Sequence, residues 1–212
     1  MIKTMKTIIL IRHGECKGNR EGYFRGRYDF PLNENGIKQA EALRDALKEF
    51  KIDAIYTSPL SRAVKTAEIV ADGKIPVIPH EGFNNIYLGD WEGRKKEEIK
   101  NLYPEEWKIW VSEPEKLRRE GMEPLPEVQR RSFEALRKIV EEEPHETFAV
   151  VTHRAVLKPL IAACLGLFEN YFWKFRVDTA SYSVMEYSPE RGFTLVLLNE
   201  TKHLEDFVIE RV

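Results

Sequence analysis

The stretch "LIRHGECKGN", Leu10 to Asn19, decides how the chain is read. It closes an apolar run, Thr7 to Ile11, with no polar alternation. Such a run predicts a short strand covered on both faces, as in a parallel sheet. Arg12 and His13 follow at once, then Gly14 and a polar, glycine-containing loop to Pro31. Basic side chains at the carboxyl end of a strand stand where open α/β sheets bind ligands.

Working outward, Asn33 opens a predicted helix to about Phe50, with Ile37, Ala40, Leu43, Leu47 and Phe50 keeping a helical period. Ala54 to Thr57 reads as a second strand. Ser58 and Pro59 then read as cap and first residue of a helix striped with Leu60, Ala63, Val64, Ala67, Val70 and Ala71. Pro76 to Pro79 offers a third strand, and a further helix is expected from Leu125 to Glu141. "TFAVVT", Thr147 to Thr152, is a fourth buried strand; it too ends in a histidine, His153, and an apolar helix follows from Ala155 to Leu165. "SYSVMEYS" and "GFTLVLLN" flank a turn at Pro189 to Gly192 and predict a hairpin on one sheet edge. Strands alternating with helices predict an α/β sheet with helices on both faces. Charged, Trp-rich sequence between Gly93 and Pro126 predicts an inserted cap of short helices, bounded at about residues 81–126 within a single domain of 1–212.

The chain has 212 residues, 33 basic and 35 acidic, so no global basic field points to nucleic acid. "IILI" is too short for a membrane span or a signal segment. Two cysteines, Cys16 and Cys164, fit a reducing compartment rather than a disulfide framework, and a cytoplasmic protein is expected. Charged residues at 32% and only two glutamines lean toward a thermophilic source. Oligomeric state is left open, a homodimer included.

Two predicted parallel strands ending in His13 and His153 bring two imidazoles to one sheet edge. Arg12 adjoins the first, and Arg62 lies in the first turn after the second strand, although helical period alone points it to solvent. Guanidinium forks match phosphate oxygens, and neighbouring cations keep an imidazole neutral and nucleophilic. Seven basic residues in the first 27, Arg25 among them, oppose two acids, a local field that steers small anionic substrates to the loop.

These residues resemble the histidine phosphatase superfamily, also called phosphoglycerate mutase-like. Its "RHGE-x-x-x-N" pattern is matched by Arg12 to Glu15 and Asn19, its "SPL-x-RA-x-x-TA" by Ser58 to Ala67, and its "G-x-WEG" by Gly89 to Gly93. "VVTH" and "LNETKHLE" resemble later segments of its small phosphatases. The resemblance implies a three-layer α/β/α sandwich with a mainly parallel sheet and a cap. It implies a metal- and cofactor-independent phosphatase acting on a small phosphorylated metabolite through phosphohistidine. His13 would be the nucleophile, with Arg12, Arg62 and His153 as catalytic phosphoryl binders; Asn19, Arg25, Asn85 and Arg154 are the substrate-binding candidates. A phosphoglycerate-type mutase and a phosphate-binding protein that has lost its acid are the alternatives.

Three departures matter. The family's catalytic glutamate position, four residues before Gly89, holds Asn85, which cannot act as a general acid. Glu81, Asp90, Glu92 and Glu123 are the candidate stand-ins. Arg154 follows His153 where glycine is usual, and Cys16 could bring a thiol near the phosphate.

Overall fold

The computed structural model describes residues 5–212. Six strands form one sheet: β1 (Lys6–Arg12), β2 (Ala54–Thr57), β3 (Val77–Pro79), β4 (Thr147–Thr152), β5 (Tyr182–Ser188) and β6 (Gly192–Glu200). Their spatial order is β3-β2-β4-β1-β5-β6. The first four are mutually parallel, and the hairpin β5–β6 adds antiparallel strands beside β1. The predicted hairpin and its edge position are therefore both found. In the β1–β4 register Arg12 lies opposite Thr152, so His13 and His153 leave the sheet side by side.

Six α-helices accompany the sheet: α1 (Glu34–Ala46), α2 (Ser61–Ala71), α3 (Lys96–Leu102), α4 (Pro104–Ser112), α5 (Leu125–Glu142) and α6 (Arg154–Cys164). Strand alternation sorts the core into two sides. Ile8, Leu10, Tyr56, Phe148 and Val150 pack with Leu136, Leu157 and Leu160 of α5 and α6. Ile9, Ile11, Ile55, Ala149 and Val151 pack with Leu43, Ala63 and Ala67 of α1 and α2. The result is a three-layer α/β/α fold. Ile8 to Ile11 are all buried, each contributing roughly 2 kcal/mol by removal from water, which explains a strand with no polar face. No described helix is long and apolar enough to cross a membrane.

One helix start differs from the sequence expectation. Ser58 does not cap α2, which begins three residues later with Leu60 at its cap position and no side-chain cap of its own. The Ser58 hydroxyl is taken instead by His153 Nε2 at 2.8 Å. The free helix end is satisfied from a distance: Asp29 Oδ1 accepts from Ser61 N at 3.0 Å and from Ser61 Oγ at 2.8 Å.

The loop after β1 is clamped onto α1 by backbone contact. A Cβ on Gly14 would lie 2.5 Å from the Gly36 carbonyl oxygen, and one on Gly36 would meet the Glu15 carbonyl. Glu15 and Gln39 are structural here: Glu15 accepts from Arg20, Asn33 and Asn35, and Gln39 Oε1 accepts from Glu15 N.

Between β3 and α5 the chain builds a third apolar cluster. Phe24, Ile86, Leu88, Trp91, Ile99 and Trp110 pack with Leu125 and Val128 of α5 and Val156 of α6. Pro104, at the first position of α4, starts that helix at no hydrogen-bond cost. Beyond β6, residues 201–212 form a strap without regular structure. It is tied first to α1, where Asn35 and Gln39 donate to the Asp206 carbonyl, and last to α3, where Lys96 donates to the Val212 carbonyl.

Candidate active site

Both histidines are buried at the carboxyl ends of β1 and β4, with ring centroids 5.1 Å apart. His13 Nδ1 lies 2.6 Å from the Gly14 carbonyl oxygen, so Nδ1–H donates there. Burial, then Arg62, Arg12 and Arg25, holds the His13 pKa well below its ordinary 6.5. A neutral ring protonated at Nδ1 leaves Nε2 with a free lone pair. His153 is likewise held neutral, by burial first and then by Arg62 and His13.

The guanidiniums are anchored by backbone carbonyls. Arg12 Nη1 donates to Val177 O at 2.9 Å. Arg62 Nη1 and Nη2 donate to Tyr28 O at 3.0 Å and Gly26 O at 2.7 Å. Arg62 is therefore fully buried, against the direction its helical period suggested, because residues 26–28 fold over it. Burial lowers its pKa to about 10. Arg12 Nε, Arg62 Nε and His153 Nδ1 are buried without a hydrogen-bond partner. Buried polar groups are nearly always paired, so this grouping marks a place built for a polar ligand.

His13, Arg25, Asn85, His153 and Arg154 line one cavity of about 40 Å³, together with Lys96, Trp110 and Phe172. Asn85 Nδ2 donates to Gly26 O at 2.8 Å, while Arg27 and Arg131 hold the Asn85 carbonyl. The stand-in acids are all engaged elsewhere and none lines the cavity. Glu123 pairs with Arg131, Asp90 with Arg119, Glu92 accepts from Arg27 N and Leu88 N, and Glu81 accepts from Asn84. Cys16 offers no thiol to the cavity: it is buried, its Sγ donates to Asn19 Oδ1 at 3.3 Å, and burial raises its pKa.

An acid that sequence reasoning missed enters from the strap. Glu210, with a side chain only 3% exposed, pairs with Arg12 through Oε2 and with Arg25 through Oε1 at 3.0 Å. Asn19 Nδ2 also donates to Oε2 at 3.0 Å. Burial pushes its carboxyl pKa up, but Arg12, Arg25, Arg154 and Lys96 together outweigh that and hold it well below the ordinary range. Lys96, which lines the cavity, and Ser58, which holds His153, were missed as well. Burial lowers Lys96 to about 7. The signal available in advance was the surplus of cations, which demands a counter-anion from somewhere in the chain.

The cavity is lined by a neutral nucleophilic imidazole, a second imidazole and the Arg25 and Arg154 guanidiniums, while Arg12, Arg62 and Asn19 stand outside its lining; such a set can bind a tetrahedral dianion and attack it. Comparison with known proteins agrees. The family model "Histidine phosphatase superfamily (branch 1)" matches residues 8–201. Phosphoserine phosphatase 1 of Hydrogenobacter thermophilus is 37% identical over 207 residues, 97% of this chain and 98% of that protein. The adenosylcobalamin/alpha-ribazole phosphatase of Escherichia coli is 30% identical over 191 residues, 90% and 94% of the two chains. The solved structure of Bacillus stearothermophilus YhfR is 35% identical and superposes with a TM-score of 0.90, covering 94% of this chain and 100% of its own. The chain belongs to the histidine phosphatase superfamily.

Proposed function

We propose that this histidine phosphatase hydrolyses a small phosphate monoester through a phosphohistidine at His13. The observation that carries the reading is the His13 ring, fixed by its bond to Gly14 and kept neutral by burial and by the three arginines beside it. Nε2 attacks phosphorus as the ester P–O bond breaks, and the alcohol oxygen leaves with the electron pair and takes a proton. Arg12, Arg62 and His153 hold the phosphoryl oxygens as charge spreads over them. Water then attacks phosphorus, the N–P bond breaks, and His13 is regained with inorganic phosphate. Asn19, Arg25, Asn85 and Arg154 contact the rest of the substrate.

Asn85 donates rather than accepts toward Gly26, and Glu210 is held ionised, so neither supplies a proton to the leaving oxygen. Aryl esters, whose leaving groups need no proton, are therefore turned over faster than alkyl esters. The test is phosphate release from a panel of metabolites and p-nitrophenyl phosphate, with acid-labile, base-stable label trapped on the protein. Label that appears in the native chain and not in His13→Ala supports the reading. Turnover without label, or equal turnover by His13→Ala, overturns it.

A further inference from the structure

The segment "LNETKHLE", Leu198 to Glu205, has no part in the reaction above, and none of its residues lines the cavity. Two of its side chains reach back to one place, the buried turn before β5 at residues 177–181. Asn199 grips Asp178 with both ends of its amide: Oδ1 accepts from Asp178 N at 2.7 Å, and Nδ2 donates to Asp178 Oδ2 at 2.8 Å. His203 Nε2 lies 2.9 Å from the Ala180 carbonyl oxygen, so Nε2–H donates there.

The same turn holds Arg12 and His13. Val177 O accepts from Arg12 Nη1 at 2.9 Å, and Ser181 O from Arg12 N at 3.2 Å. Ala180 N donates to His13 O at 3.0 Å, while His13 N on the other side donates to Thr152 O at 3.0 Å. The backbone of the nucleophile, one residue past the end of β1, is thus fixed between β4 and this turn.

Ala180 has φ 51, in the left-handed region that a residue with a Cβ rarely adopts. Such strain persists where the surroundings over-determine it. Here Ala180 is held on both sides, its N–H by His13 and its carbonyl by His203. If His203 released the carbonyl, Ala180 could relax to negative φ and swing its N–H away from His13. The His203 ring is suited to a single fixed donation. Its Nδ1 is buried without a partner, and burial is the main cause that lowers its pKa below 6.5.

We propose that His203 and Asn199 are positioning residues: through the strained turn at 177–181, His203 aims the His13 nucleophile and Asn199 steadies the Arg12 guanidinium. The proposal rests on the phosphatase reading above and adds to it two residues that touch neither substrate nor reacting atoms.

The experiment compares amides of different reach at position 203. Glutamine carries an N–H about as far as Nε2 does; asparagine is one methylene short. On p-nitrophenyl phosphate, His203→Asn is expected to lower kcat by about tenfold or more and to leave inhibition by inorganic phosphate within about twofold, since misplacing a nucleophile costs chemistry more than binding. His203→Gln should keep kcat within about threefold of native. Adding Ala180→Gly to His203→Asn should recover kcat several-fold, because glycine takes φ 51 without strain. Asn199→Gly, which tolerates the φ of 55 at that position, should weaken inhibition by inorganic phosphate several-fold through Arg12.

A His203→Asn enzyme with native kcat, equal losses in the Asn and Gln variants, or no recovery with Ala180→Gly would each reduce His203 to a packing role and overturn its part. Unchanged phosphate inhibition in Asn199→Gly overturns the other part. All of these leave the phosphatase reading standing. No turnover of any ester by the native protein overturns that reading and the positioning role with it.

Discussion

The pocket is assembled from two regions held in opposite ways. The histidine side grows from β1 and β4, whose backbones pair from Thr7 with Thr147 to Arg12 with Thr152 and are buried on both faces. The strap side, residues 205–212, contributes a carboxylate yet donates no backbone hydrogen bond among the described residues. The first is rigid because every position is fixed by neighbours on both sides. The second is tethered at Asp206, Glu210 and Val212. The contrast teaches that the reacting groups and their counter-charge have been placed on parts with different freedom to move. Chemistry needs the former held within a fraction of an ångström.

The largest effect that can break this division is at the rigid side. His13→Ala is expected to lower kcat/KM on p-nitrophenyl phosphate by at least about a thousandfold, while the protein stays folded by circular dichroism. A modest loss would mean the sheet edge does not hold the nucleophile. Next comes a direct comparison of mobility. Hydrogen exchange at Ile9, Leu10, Val150 and Val151 should be slower than across residues 205–212 by roughly a thousandfold, since the strap opens locally and the sheet does not. Equal protection would remove the contrast.

Asn85→Glu sharpens the picture of what the rigid side lacks. A glutamic acid facing the Gly26 carbonyl, which now accepts from Asn85, keeps its proton and becomes a general acid. Alkyl phosphate hydrolysis is expected to rise by about tenfold or more, and p-nitrophenyl phosphate hydrolysis by much less. An equal rise for both, or none, would mean position 85 has been misassigned.

Smaller again is a titration. His13 and His153 are held below 6.5, burial being the main cause for each. Nitrogen NMR of the ring atoms at pH 6.5, where an ordinary imidazole is half charged, should therefore show both neutral. The unfolded chain binds those protons and the folded one does not, so stability falls as pH drops below about 6.5. Half-charged rings at that pH would contradict the depressed values. The smallest effect belongs to Asp29, which caps α2 and so aims Arg62. Asp29→Ala should cost about 1 kcal/mol of stability, seen as a Tm lowered by about 2–4 °C. An unchanged Tm would show that α2 starts without that help.

Much of the rigid side was legible in advance, for physical reasons. Apolar runs without alternation identify strands buried on both faces, and β4 begins and ends where its sequence suggested. The two strand-end histidines do meet, with ring centroids 5.1 Å apart. Arg62 was harder, because periodicity speaks only of the helix's own apolar stripe and not of a loop that folds over its other side. Ser58 looks like a helix cap to any local rule; a histidine from β4, remote in sequence, took the hydroxyl. The proposed replacement acids failed for a related reason. Each had a partner that no linear pattern announces: an arginine, a backbone N–H or, for Glu81, the Asn84 amide. Glu210 was the least legible of all, a single acid in the apolar stretch "FVIERV", whose meaning depends on cations gathered from three distant segments.

The glycine pair at 14 and 36 carries a practical consequence. Where two backbones touch with no side chain between them, protein engineers have nothing to trim in order to make room. A saturation library at either codon should return working clones only with glycine, however freely the cap and strap positions around the mouth accept new letters. Retargeting this scaffold to another phosphate ester would begin at Arg25, Lys96 and Arg154 and leave that clasp untouched.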